Sequence, residues 1–185
     1  MKRVAKNALT VGGLHVQYHS PMLIVYTGNG KGKTTAALGL ALRNLGHNNK
    51  VSSIHFMKNS ESGEFNFKHP NFKAKKFGSG NFIEKNRAGE KDKKLAEKGF
   101  QIAKNKVKED GLLILDELNM ALYFNLLNKK EVFDFLSKIP KEKNVVVTGR
   151  KAPKKLIEMA DIATEMKELK HYYQKDIKAK KGIEY

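Results

Sequence analysis

Tyr26-Thr27-Gly28-Asn29-Gly30-Lys31-Gly32-Lys33-Thr34-Thr35 stands between an apolar run, Met22-Leu23-Ile24-Val25, and a helix-forming one, Ala36-Ala37-Leu38-Gly39-Leu40-Ala41-Leu42. Strand, glycine-rich turn, helix is the context that a phosphate-binding loop requires. The glycines let successive backbone N–H groups turn inward around phosphate oxygens. The helix that follows adds its free N-terminal amides and the positive end of its dipole. In this reading Gly28, Asn29, Gly30, Lys31, Gly32, Lys33, Thr34 and Thr35 form the nucleotide loop. Lys33 reaches the terminal phosphates, and the Thr34 hydroxyl binds Mg²⁺. The usual eight-residue signature starts on glycine, but here Thr27 holds that position and Gly28 takes over the turn.

Downstream, Leu112-Leu113-Ile114-Leu115 ends in Asp116-Glu117. A short, wholly apolar strand suits a parallel sheet covered on both faces, and its carboxyl end opens on the crevice where open α/β sheets bind nucleotides. A carboxylate there can hold Mg²⁺ directly or through water, so Asp116 and Glu117 are expected opposite Thr34. Val147-Thr148-Gly149-Arg150 places an arginine just past another strand end, on the same edge, as a phosphate clamp or a solvated surface residue. Asn128-Lys129-Lys130-Glu131 resembles a guanine-reading motif, but it reads better as a helix N-cap with its capping partner.

Working outward, strands are expected at Met22–Thr27, 50–57, Phe72–Phe77, 112–115, 145–147 and 162–166. Helices are expected from the loop to about Leu45 with Gly46 as C-cap, over 90–110 on a face of Leu95, Ile102, Ala103 and Val107, over 129–138, and over 154–160 after Pro153. Gly111 stops the second of these helices. The stretches 59–70 and 78–89 read as loops. Alternating strands and helices imply an α/β P-loop domain of RecA-like type, with a mainly parallel sheet flanked by helices. Residues 1–21 lack a clear period and read as an N-terminal arm or extra edge segment, leaving 22–185 as the domain.

The chain of 185 residues carries 40% hydrophobic and 30% charged side chains, an ordinary soluble mixture. It has no apolar run long enough to span a membrane and no secretory apolar core, so the expected compartment is the cytoplasm. Absent cysteines exclude disulfides, Fe–S clusters and thiolate zinc sites. The net charge of +17 invites a nucleic-acid reading. Yet only Arg3, Arg43, Arg87 and Arg150 are arginine, and readers of bases and phosphates lean on the arginine fork, which lysine lacks. That balance argues against a nucleic-acid partner. A RecA-like nucleic-acid-stimulated ATPase and a small-molecule P-loop kinase are the competing classes.

Thr27 to Thr35 with Ala36-Ala37-Leu38-Gly39, Leu115-Asp116-Glu117-Leu118 and Val147-Thr148-Gly149-Arg150 together resemble the ATP:corrinoid adenosyltransferases of the BtuR/CobO type. Glu158-Met159-Ala160-Asp161, Thr164-Glu165-Met166, Lys170-His171 and Lys181-Gly182-Ile183-Glu184-Tyr185 extend the likeness. The resemblance implies transfer of the 5′-deoxyadenosyl group of ATP to the Co(I) of a corrinoid, with release of triphosphate. It implies that ATP lies in the loop the opposite way round from ordinary ATPases, which brings C5′ toward the corrinoid. Lys33 would be the main cation, Thr34 and Glu117 the Mg²⁺ (or Mn²⁺) partners, and Asp116 an assisting carboxylate. Arg43 and Arg150 match family positions near the nucleotide. The family places a Phe and a Trp in the loop corresponding to 78–86, where they displace the corrinoid's lower ligand. This chain has no tryptophan, and Phe82 is the one wedge candidate there. A homodimer, and an electron donor such as a flavoprotein, complete what the resemblance implies.

Overall fold

The computed structural model describes residues 10–11, 14–15, 21–80, 88–109, 111–171 and 178–185. Two short strands, β1 (Thr10–Val11) and β2 (Leu14–His15), pair with each other, antiparallel. From Met22 onward the elements run β3 (Met22–Thr27), α1 (Lys33–Gly46), β4 (Val51–Phe56), α2 (Gly63–Asn66), β5 (Phe72–Phe77) and α3 (Glu90–Lys106). They continue with β6 (Gly111–Asp116), α4 (Leu118–Tyr123), α5 (Lys129–Ser137), β7 (Lys143–Thr148), α6 (Lys154–Met159) and β8 (Ile162–Glu165). The strands from β3 to β8 form one six-stranded sheet of order β5-β4-β6-β7-β3-β8, in which every pairing is parallel. The fold is α/β, as the alternation of strands and helices predicts.

Strand order dictates how the helices are shared between the two faces. The chain crosses from β3 to β4 in one direction, and from β5 through β6 and β7 to β8 in the other. Right-handed crossovers therefore put α1 and α2 on one face and α3 to α6 on the opposite one. The core divides along that line. Leu23, Val25, Leu113, Leu115, Val145 and Val147 pack with Ala96 and Phe100 of α3, Leu118 of α4, Val132 of α5 and Leu156 of α6. Their alternates Ile24, Leu112, Ile114 and Val146 pack with Ala37, Ala41 and Leu45 of α1. Period-two alternation is thus present inside runs that are apolar throughout. All strands point the same way, so the segments after β3, β4, β6 and β7 share one edge, and the site is built there.

Several local expectations are corrected. Gly46 is the last helical residue of α1, and the left-handed turn that ends the helix belongs to Asn48 (φ 59°). Gly111 opens β6 rather than merely stopping α3, which ends at Lys106. The buried face of α3 is Ala96, Gly99, Phe100 and Ala103, with Leu95 only half-buried, because small residues let the helix approach the sheet closely. The stretch 59–70 contains the single turn α2, and α4 follows the acidic pair directly. Asn128 does cap α5, its side-chain oxygen accepting from the Glu131 N–H at 3.2 Å. Among the described residues, no helix is long and apolar enough to cross a membrane.

Candidate functional site

The glycine-rich loop between β3 and α1 is braced by the continuation of β8. Gly30 N–H donates to the Met166 carbonyl at 2.7 Å, and Met166 N–H donates to the Thr27 carbonyl at 2.8 Å. Gly28 takes φ 97°, and a Cβ there would overlap the Met166 carbonyl oxygen. Only glycine satisfies both conditions. Thr27 replaces the expected first glycine without harm because the turn begins one residue later, and its hydroxyl accepts the Ala152 N–H at 3.3 Å. Lys33 folds back into the loop, donating to the Gly30 carbonyl at 2.7 Å, and is buried.

A common backbone device turns the chain at this edge. The residue directly after β3, β4, β6 and β7 has positive φ in each case: Gly28 (97°), Met57 (59°), Glu117 (59°) and Gly149 (124°). Two of the four are not glycine, and a left-handed non-glycine residue costs about 1–2 kcal/mol. At Glu117 the strain accompanies a carboxylate that lines both clefts described below, which is where such cost tends to be retained. Gly149 lies so close to the β6–α4 turn that a Cβ would come within 3.1 Å of Glu117 Oε2.

The floor is a row of polar side chains on the α1 face of the sheet. Asp116, 2% exposed, accepts from Thr34 Oγ1 at 2.8 Å and Thr148 Oγ1 at 2.7 Å through one oxygen, and pairs with His55 Nδ1 at 3.0 Å through the other. Thr148 Oγ1 also accepts the Glu117 N–H at 3.0 Å. Burial pushes the Asp116 carboxyl up, but hydrogen bonds from His55, Thr148 and Thr34 and the electrostatic pull of the imidazole outweigh it, so Asp116 ionises below the usual aspartate range. Glu117 goes the other way. Burial and the neighbouring Asp116 charge raise it above the usual glutamate range, against the pull of Lys33, Arg150 and Lys58. Burial also holds the Lys33 ammonium below the usual lysine range; Arg150 adds to that, and Glu117 and Asp116 oppose it.

Two clefts share this corner. One, of about 390 Å³, runs over Lys31, Lys33, Thr34 and Leu38 toward Glu64 and the segment Gly182 to Tyr185. The other, of about 600 Å³, runs from Lys33, Thr34, Asp116 and Glu117 past Arg150 to an apolar wall of Met57, Met120 and Phe124. Among the described residues no three His, Asp or Glu side chains gather into a metal cage. The donors at the corner are the Thr34 hydroxyl and one or two carboxylates. Such a sparse, oxygen-only set fits Mg²⁺, which keeps several waters and shares its remaining positions with substrate phosphates.

The structure brings Lys31, Gly32, Lys33, Thr34, Thr35, Asp116, Glu117 and Arg150 to these clefts, with Gly28, Asn29 and Gly30 in the loop behind them. Arg43 does not join them. It is exposed on α1, about 15 Å beyond Lys33 at 1.5 Å per helical residue, and lines neither cleft. Phe82 lies outside the described residues.

Sequence reasoning passed over other residues that shape the site. Lys58 donates to Glu64 at 2.7 Å across the mouth of the first cleft. Asn119, wholly buried, donates to the Gly149 carbonyl at 2.8 Å and so ties the Arg150 turn to α4. Ile183 and Glu184, given no role at the site by the sequence, hold the loop residue Lys31, whose ammonium donates to the Ile183 carbonyl and to Glu184 Oε2, each at 2.8 Å.

Comparison with known proteins converges on one description. The family model described as ATP:corrinoid adenosyltransferase BtuR/CobO/CobP matches residues 19–185. The corrinoid adenosyltransferase of Escherichia coli (strain K12) is 34% identical over 167 residues, covering 89% of this chain and 85% of that protein. That of Pseudomonas aeruginosa is 37% identical over 169 residues, covering 89% and 83%. The corrinoid adenosyltransferase CobA of Salmonella typhimurium is 32% identical over 167 residues, covering 89% and 85%.

Proposed function

The chain belongs to the ATP:corrinoid adenosyltransferase family of the BtuR/CobO/CobP type, and on that premise we propose how its cleft carries out the transfer. The 5′-deoxyadenosyl group of ATP passes to the Co(I) of a corrinoid, and triphosphate is released. The electron pair of Co(I) forms the bond to C5′ while the bond from C5′ to the α-phosphate oxygen breaks. All developing negative charge therefore falls on the leaving triphosphate, and the protein's task is to neutralise it. The observation that carries this reading is the convergence of Lys33, Thr34 and Glu117 on a corner shared by two clefts, with Arg150 lining the larger of them.

Lys33 is the main cation for the triphosphate, assisted by free N–H groups of the glycine-rich loop and the start of α1. Mg²⁺ (or Mn²⁺), held by Thr34 and Glu117 with Asp116 behind them, supplies further charge neutralisation when bound. Arg150 clamps the nucleotide from the far side. The apolar wall of Met57, Met120 and Phe124 suits one face of a macrocycle, beside the place where C5′ must be presented. Phe82 is the wedge candidate against the corrinoid's lower ligand. The segment 1–21 is an arm outside the unit 22–185, the assembly is a homodimer, and the electrons that make Co(I) come from a donor such as a flavoprotein.

The deciding experiment mixes purified protein, ATP, Mg²⁺ and chemically reduced cobalamin. Adenosylcobalamin, followed by the absorbance change of the cobalt–carbon bond, and intact triphosphate are expected in equal amounts. ADP and phosphate as the main products would overturn the reading and point to an ATPase.

A further inference from the structure

β4 breaks the pattern of its neighbours on the α1 face. On this face β6 presents Leu112, Ile114 and then Asp116, and β7 presents Val146 and then Thr148, whereas β4 turns polar one step earlier, presenting Val51 and then Ser53 and His55, both wholly buried. A polar pair in that position costs stability unless it is hydrogen-bonded. It is. Ser53 Oγ and His55 Nε2 are 2.8 Å apart, and His55 Nδ1 meets Asp116 Oδ2 at 3.0 Å. Strand register enforces the second contact, because His55 and Asp116 are direct partners across β4 and β6. Phe65 of α2 closes edge-on over the imidazole, ring centroids 4.9 Å apart.

An ionised carboxylate only accepts hydrogen bonds, so Nδ1 of His55 is the donor and Nε2 is left to Ser53. Asp116 is thereby held at both oxygens: His55 takes one, and the other is shared by Thr34 and Thr148. The Thr34 hydroxyl, spending its proton on Asp116, keeps its lone pairs for a cation. Without His55 the carboxylate could rotate about its bond to Cβ, and Thr34 would no longer have a fixed acceptor.

We propose that His55, backed by Ser53, is a positioning residue that locks the Asp116 carboxylate and through it fixes Thr34 as a cation ligand. The inference rests on the functional reading above, and it assigns His55 no contact with substrate. A buried polar pair kept only for packing would leave cation affinity untouched.

The test uses the full chain with Mn²⁺ and ATP and no corrinoid, reading bound Mn²⁺ by electron paramagnetic resonance, with adenosyl transfer assayed in parallel. His55→Leu removes the donor and is expected to raise the Mn²⁺ midpoint about tenfold, the loss of one hydrogen bond to a charged group. His55→Gln restores an N–H donor and should return the midpoint to within about threefold of the parent value. Ser53→Ala leaves Nδ1 in place and loosens the ring, so a rise of about two- to threefold is expected. An unchanged midpoint in His55→Leu, or equal shifts in the Leu and Gln variants, overturns the proposal. If His55→Leu fails to fold, Ser53→Ala decides: no rise overturns it. If the unaltered chain itself binds no Mn²⁺ with ATP yet transfers the adenosyl group, the cation role of Thr34 falls and this inference with it. If the chain binds Mn²⁺ with ATP and transfers nothing, the functional reading fails while the positioning role can still be read from the midpoints.

Discussion

Asp116, on the floor of the cleft, is 2% exposed and held by His55, Thr34 and Thr148, which come from β4, α1 and β7. Lys31, on the rim, has a side chain 35% exposed and is held by Ile183 and Glu184 from a segment about 150 positions away in the chain. The two regions use the same chemistry, cation or hydroxyl to carboxylate, in different dielectric settings. On the floor, water is excluded, each unmet polar group costs about 1–3 kcal/mol, and strand register fixes geometry. On the rim, solvent screens the pair, and such pairs contribute about 0–1 kcal/mol. Changes to the floor should therefore move activity and pH behaviour strongly, and changes to the rim should only tune affinity.

Lys33→Ala tests the floor at its strongest point. Removing the buried cation on which the triphosphate's charge would fall is expected to lower kcat/KM for transfer by about 100- to 1000-fold, the usual loss for one preorganised group facing developing charge. The fold should survive, because burial already disfavours that ammonium and, among the described residues, no carboxylate depends on it for a direct hydrogen bond. The melting temperature should stay within about 5 °C of the parent value. A loss in transfer below about tenfold would mean that the leaving triphosphate is neutralised elsewhere, and the contrast between floor and rim would collapse.

The two regions were also unequally legible in the sequence. The loop 26–35 and the pair Asp116-Glu117 announce themselves because glycine spacing and an apolar run ending in acid are local signals. The role of His55 is not local. It depends on β4 lying beside β6 in matching register, and strand order is not written in any one segment. The left-handed Met57 and Glu117 gave no warning, since only glycine advertises such a turn. The four-residue α2 and six-residue α4 are too short for a helical period to emerge. The rim segment Lys181-Gly182-Ile183-Glu184-Tyr185 stood out through family resemblance alone. Composition gave no hint that Glu184 would reach back to Lys31.

A smaller effect separates the two adjacent carboxylates of the floor. Glu117 ionises above the ordinary value of 4.5, so in the window above 4.5 the folded chain keeps a proton that the unfolded chain has released. Stability therefore falls as pH rises through that window. Asp116 has the opposite sign. Its stabilising contribution is full above the ordinary aspartate value of 3.8 and is lost as pH falls through its lower folded value. Glu117→Gln should remove the first slope and leave the second. Denaturant titrations across pH should then show the variant gaining on the parent as pH rises above 4.5 and levelling off once Glu117 has ionised in the folded parent. Parallel curves would mean that Glu117 ionises normally and that neither burial nor the Asp116 charge sets its chemistry.

The smallest effects belong to the rim. In the structure the Lys31 ammonium is spent on Glu184 Oε2 and the Ile183 carbonyl, beside the cleft that the glycine-rich loop lines. If a triphosphate draws on the same ammonium, Glu184 competes with it. Glu184→Gln should then tighten ATP about two- to threefold, and Lys31→Met should weaken it by a similar factor, as expected of a partly screened pair. Both differences should shrink as salt rises toward about 0.5 M, where screening shortens to a few ångströms. Isothermal titration of ATP into each variant and the double variant at low and high salt measures this directly. A large, salt-independent loss in Glu184→Gln would place the rim in the same class as the floor: the segment Gly182 to Tyr185 would then be a fixed wall of the nucleotide site, and the division drawn from exposure would be wrong.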